Sequence, residues 1–220
     1  MSVAKTLARG AILSGLALAT LPVHAANAPL SVETAELCTA AADRAQAALR
    51  LPPKILAALS LAETSRWHAG GKVLLAWPWT VTSGTYARYL RDKASAIAEV
   101  ERLQAKGIRN IEVGCMQVNL CYHPDAFATL EDAFDPDTNA MYAAGFFVDL
   151  QEDTRSWTRS IERYQSATLE RGRAYRRKVE KLWRTIKLCA AAEHRAAVAA
   201  AHKERRAANN ARRRAQNACR

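Results

Sequence analysis

The sequence predicts a mainly α-helical single domain, with a small β or extended insertion and a basic C-terminal tail that is helical or disordered. Three observations predict it. The chain has 220 residues, half of them hydrophobic, which is enough for one ordinary domain with a real core. Apolar residues recur at helical spacing through most of the chain after residue 30. Two segments break that pattern: residues 67–91 mix aromatics with β-formers, and residues 190–220 are rich in Ala and Arg without a large apolar stripe.

Residues 1–28 read as a secretory signal peptide. Lys5 and Arg9 precede a short apolar run, and small residues follow at Val23-His24-Ala25 and Ala26-Asn27-Ala28. That order gives cleavage after Ala25 or Ala28. Residues 29–189 form the predicted domain. The spacing predicts a first, Ala-rich helix over 32–49, broken at Leu51-Pro52-Pro53, and a second over 53–66, since proline is tolerated at a helix start. Trp77-Pro78-Trp79-Thr80-Val81-Thr82-Ser83-Gly84-Thr85-Tyr86 predicts an extended segment or small hairpin. Ala94, Ile97, Ala98 and Leu103 predict an amphipathic helix over 93–106, which Gly107 ends. A short strand or turn at 111–114 precedes helices over 136–153, 157–165 and 171–189. In the tail, 190–220, alanine favours helix, but a helix that is polar all round has nothing to bury.

The formal net charge of +11 suggests an acidic partner. It is unevenly distributed. The leader carries +2 and the tail +6, leaving only +3 for residues 29–189. A nucleic-acid-binding reading therefore lacks a basic surface on the core, while the tail invites contact with an anionic wall or membrane. After the leader the cysteines are Cys38, Cys115, Cys121, Cys189 and Cys219. An exported chain can form disulfides, and five cysteines allow at most two. Cys115 and Cys121 flank an unusual motif, so a brace there is expected, with the connectivity open. No Cys/His spacing suggests a metal, and no cofactor motif is present.

Three elements carry candidate chemistry. Leu56, Leu59 and Glu63 are spaced i, i+3, i+7, so Glu63 lies within roughly 20° of Leu56 around the helix axis. A carboxylate is thus placed on the apolar face near the helix C-terminus. Burial and the helix dipole both raise its pKa, and a carboxylic acid protonated near neutral pH can act as a general acid. A structural Glu paired with Arg66 is the competing reading. In Gly114-Cys115-Met116-Gln117-Val118-Asn119, glycine admits close approach or positive φ, and Gln117 and Asn119 alternate with apolar residues so that two amides share a side. Paired amides suit sugar hydroxyls and N-acetyl groups; a tight turn with surface amides is the alternative. Tyr164-Gln165-Ser166-Ala167 places a tyrosine where its hydroxyl can aim into a cleft, or where its ring simply joins the core. Trp77, Trp79, Tyr86 and Tyr89 add aromatic surface suited to stacking on sugar rings or to the core.

In order, Glu63-Thr64-Ser65-Arg66, Trp77-Pro78-Trp79-Thr80, the Gly114 to Asn119 motif and Tyr164-Gln165-Ser166-Ala167 resemble the soluble lytic transglycosylases, carriers of the transglycosylase SLT domain in the goose-type lysozyme-like clan. The resemblance runs from about Cys38 to Trp183, and the Trp-Pro-Trp-Thr segment narrows it to a branch of periplasmic enzymes with that insertion. It implies a lysozyme-like fold, peptidoglycan glycan strands as substrate, a monomer acting without a cofactor, and Glu63 as the catalytic acid. Thr64, Ser65, Trp77, Trp79, Gly114, Met116, Gln117, Asn119, Tyr164 and Ser166 would line the substrate site. In that family one carboxylate suffices, because the C6 hydroxyl of N-acetylmuramic acid is the nucleophile and leaves a 1,6-anhydro end. No second acid is placed by motif, although ordinary glycosidases need two. The resemblance also implies a Cys38–Cys115 pairing. The sequence departs from the family pattern at Thr64, where Ser is usual, at Cys115, where Leu is common, and at Gln165, where Asn is usual. A non-catalytic wall-binding protein and a hydrolytic muramidase remain competing readings.

Overall fold

The computed structural model describes residues 31–165 and 168–218. The expected leader, Ser166 and Cys219 lie outside them. The architecture is mainly α, with two small antiparallel sheets.

Helix α1 (Val32–Ala48) starts at Ser31, whose hydroxyl accepts from the Thr34 amide, and buries Ala35, Cys38, Ala41, Ala42 and Ala45. This face of small side chains, three and four residues apart, lets α5 (Pro136–Thr154) approach closely. Helix α2 (Ile55–Thr64) runs through the centre, with both its apolar face and Ser60 and Thr64 buried. It is shorter than the expected 53–66. Lys54 takes a left-handed φ of 67° at its start, and Ser65 turns extended at its end.

The segment after α2 forms two hairpins where the sequence suggested one. Strands β1 (Arg66–His68) and β2 (Val73–Leu75) make the first. Strands β3 (Thr80–Ser83) and β4 (Tyr86–Tyr89) make the second, turning at Gly84 with φ 59°. Strand β3 also pairs with β5 (Glu112–Val113), which pairs with β6 (Val118–Asn119), giving the order β4-β3-β5-β6. The motif from Gly114 therefore closes a two-residue ladder, too short for an alternation signal to predict β6. Helix α3 (Lys93–Ala105) is capped by Asp92 and followed by Gly107 at φ 78°. It covers this sheet in a second core of Val81, Val100, Leu103, Ile111, Val113 and Phe134. The single turn α4 (Leu130–Ala133) was not legible as a period and leads into α5, whose start carries an Asp135 cap and Pro136.

Helix α6 (Trp157–Gln165) follows, then α7 (Leu169–Ala218). The sequence suggests a helix over 171–189 followed by a tail. One 50-residue helix spans both, about 75 Å long at 1.5 Å per residue. After Gly172 it contains neither Gly nor Pro, and Ala, Arg and Lys all favour helix. Its first half packs on α2 and α6 in the main core, through Tyr175 and Val179. From Ala191 onward its described side chains are exposed.

The Cys38–Cys115 disulfide is present and ties α1 to the Gly114 loop across 77 residues. The brace at the motif thus runs to α1, and Cys121 is an exposed thiol, as is Cys189. Among the described residues, no helix is long and apolar enough to cross a membrane.

Candidate active site

Glu63 occupies the last turn of α2, one residue before the helix ends. The two residues after it shape that end. Thr64 is fully buried; its hydroxyl donates to the Ser60 carbonyl at 3.1 Å and accepts from the Trp77 amide at 3.2 Å. Ser65 is the C-terminal cap. Trp77 is buried and donates its indole N–H to the Leu90 carbonyl at 2.7 Å, while Trp79 packs edge-to-face on it at 5.9 Å. None of these four lines the cavities at Glu63. They anchor the β3–β4 sheet to the end of α2; within the aromatic patch Trp77 is core, while Trp79, Tyr86 and Tyr89 are half-buried.

The Gly114 loop faces Glu63 and is held from below. Gly114 has φ 79°, and a Cβ there would lie 2.4 Å from Asn139 Nδ2. Asn139, fully buried on α5, accepts from the Met116 amide at 2.9 Å and donates to the Ala133 and Val113 carbonyls at 3.0 and 3.1 Å. Ser60 on α2 donates to the Cys115 carbonyl at 3.0 Å. The disulfide, Asn139 and Ser60 thus fix the loop from three helices. Met116 itself is buried in the core.

Gln117 takes φ 49° and turns its amide back onto the loop: Nε2 donates to the Gly114 carbonyl at 2.9 Å and the Thr80 carbonyl at 3.3 Å. The amide of Asn119 is likewise engaged, donating to Asn110 Oδ1 at 2.6 Å and accepting from the Cys121 and Tyr122 amides at 3.0 and 3.2 Å. Both side chains line the cavity, but their polar atoms brace the loop. The two residues thus lie together at the cavity with their amides engaged by the protein itself. Tyr164 is engaged in the same way. Its ring lines the cavity, while its hydroxyl donates to the Met116 carbonyl at 3.1 Å.

Two cavities meet at Glu63 and Gln165. One, of about 150 Å³, is lined by Glu63, Glu112, Gln117, Asn119, Tyr122 and Tyr164 among others. The other, of about 350 Å³, is lined by Arg171, Ala174, Tyr175 and Lys178 of α7. Tyr175 donates its hydroxyl to Glu63 Oε1 at 2.5 Å, and its ring stacks on Tyr164 at 6.4 Å and 11°. Lys178 donates to the Ala62 carbonyl, the position before Glu63. Burial raises the Glu63 carboxyl to about 7; the Tyr175 hydrogen bond and the Lys178 charge pull it down, and the Glu112 charge pushes it up. Glu63 is therefore divided between acid and carboxylate near neutral pH, as a group that first donates and later accepts a proton needs to be. Burial and the Glu63 charge push the hydroxyls of Tyr164 and Tyr175 well up, so both are neutral donors.

Sequence reasoning missed Tyr175, Lys178, Arg171 and Glu112. Tyr175 and Val179 mark the buried face of α7 by their i, i+4 spacing, but nothing local shows that this face meets a residue 112 positions earlier. Glu112 alternates with buried Val113 in β5, so its outward direction was readable once the strand was known. Thr82 Oγ1 lies 2.6 Å from Glu112 Oε2 and 2.8 Å from Gln117 Oε1, linking the three. Tyr122, 74% exposed at the cavity mouth, offers a free aromatic face.

Chemically, the site offers a proton donor at neutral pH, a second carboxylate, an exposed aromatic face and a cationic chamber suited to a carboxylate-bearing substituent. Among the described residues no cluster of His, Cys, Asp and Glu is arranged to hold a metal ion. No protein-family model, curated protein or solved structure matches the chain.

Proposed function

We propose that the protein is an exported, periplasmic peptidoglycan lytic transglycosylase, with Glu63 as acid and then base. The observation that carries this reading is the Glu63 carboxyl, raised to about 7 and held by Tyr175 at the junction of two cavities. The motif resemblance supplies the substrate: the β-1,4 bond from N-acetylmuramic acid to N-acetylglucosamine. The Glu63 proton passes to the glycosidic oxygen as the C1–O bond breaks. The muramic C6 oxygen then bonds to C1, and its proton returns to the Glu63 carboxylate. The products are a free 4-hydroxyl and a 1,6-anhydro end. The Cys38–Cys115 disulfide supports an oxidising compartment.

One observation favours a second reading, hydrolysis. Glu112 lines the same cavity, and a second carboxylate is what a water-using glycosidase requires. Mass spectrometry of digested peptidoglycan separates the two. Anhydro-muropeptides from the parent chain and none from Glu63→Gln support the transglycosylase. Reducing ends that disappear in Glu112→Gln support the hydrolase. Binding to peptidoglycan without release of soluble products supports neither.

A further inference from the structure

The outer part of α7 carries a feature that the proposed reaction does not use. Between Ala191 and Ala215 every side chain of this helix is exposed among the described residues. Its charges are not spread evenly. At about 100° per residue, and taking Arg195 as the reference direction, Arg206 falls at about 20° and Arg213 at about 0°. Lys203 and Arg205 flank this line at about 80° on either side, and Arg212 and Arg214 at about 100° on either side. The two acids of the arm, Glu193 and Glu204, fall at about 160° and 180°, directly opposite. One side of a straight rod is thus purely basic over about 28 Å, and the other side holds all of its negative charge.

Two large aliphatic side chains accompany the arginines. Leu188 is 65% exposed and Val198 is 42% exposed. On the same reckoning they lie at about 20° and about 60° from the reference line, both on the basic side. Basic residues interleaved with exposed aliphatics on one face suit the interface of an anionic bilayer, where lipid phosphates meet the arginines and the aliphatics reach the acyl boundary. A soluble polyanion would use the arginines alone. The apolar area is small, so the contact is peripheral and salt-sensitive.

We infer that the basic face of α7, centred on Arg195, Arg206 and Arg213 with Leu188 and Val198, is a docking surface for an anionic phospholipid bilayer. The same helix donates Tyr175 to Glu63, so docking fixes the orientation of the cavities relative to the membrane plane. The inference is independent of the proposed reaction.

Flotation of the full chain with phosphatidylglycerol-containing vesicles, against phosphatidylcholine vesicles, tests it. Binding is expected only to the anionic vesicles and is expected to fall at least tenfold between low and high salt. The triple variant Arg195→Glu, Arg206→Glu, Arg213→Glu is expected to weaken binding by roughly a hundredfold or more, from about one kcal/mol per basic residue at an anionic surface. Glu193→Gln with Glu204→Gln is expected to preserve or strengthen it. Leu188→Ser with Val198→Ser is expected to weaken vesicle binding several-fold while leaving dextran sulfate binding unchanged. An unchanged circular dichroism melt shows that each variant is folded. No binding to anionic vesicles, equal binding by the triple variant, or retention on dextran sulfate without vesicle binding would each overturn the inference.

Discussion

Glu63 was legible from its spacing on α2, and the structure adds why its carboxyl is perturbed: burial outweighs the Tyr175 hydrogen bond. The sign of its effect on stability follows. A carboxyl whose folded value, about 7, lies above the ordinary 4.5 contributes almost nothing at pH 4, costs stability progressively as pH rises from about 4.5 to about 7, and carries a constant cost above that. Glu63→Gln is therefore expected to match the parent in thermal unfolding near pH 4. At pH 8 it is expected to be more stable, by on the order of 3 kcal/mol. Equal stability at pH 8 would mean that burial does not perturb Glu63. Cleavage itself is expected to decline as pH rises through about 7, because the acid form is consumed there. Tyr175→Phe removes the hydrogen bond that lowers the Glu63 value. It is expected to shift the alkaline limb of that pH profile upward, whereas a purely structural Tyr175 would leave the limb in place.

At the scale of elements, the loop from Gly114 to Asn119 is positioned by contacts that sequence spacing could not reveal. Gly114 was read as a site of close approach or positive φ, and both hold, because Asn139 fills the space that a Cβ would need. Gly114→Ala is expected to destabilise the fold by on the order of 2 kcal/mol or more, since neither the left-handed φ nor the buried Asn139 can yield. Asn139→Leu leaves the Met116 amide and two carbonyls unpaired in the core. It is expected to lower stability by about 3 kcal/mol in denaturant titration. The long helices were readable because apolar residues recur at helical spacing, and the structure adds the Asp92 and Asp135 caps. Strand β5 lies within the expected strand or turn at 111–114, whereas β6 and α4 were not readable, because two to four residues carry no period. The amides of Gln117 and Asn119 lie at the cavity, and their hydrogen bonds run to neighbouring backbone groups and to the Thr82 and Asn110 side chains. The positive φ of Gln117 is one local feature that composition does not encode.

For the whole molecule, covalent and packing ties are concentrated before residue 190. The Cys38–Cys115 bridge closes a long loop, and Cys38→Ser is expected to lower unfolding stability by about 4 kcal/mol. A chain ending at residue 189 is expected to melt with the full chain, because the described side chains from Ala191 onward are exposed. A large loss on truncation would show that the arm contributes to the domain. The charge division legible in the sequence thus matches a mechanical division. Residues 29–189 hold the cavities, and the arm holds most of the remaining charge. In the proposed reaction Glu63 is the acid of a transglycosylase. Mass spectrometry of purified peptidoglycan digested by the parent and by Glu63→Gln tests it most directly. The expected result is 1,6-anhydro-muropeptides from the parent and none from a fully folded Glu63→Gln. Release of the same products by Glu63→Gln, or no soluble product from the parent, would contradict it.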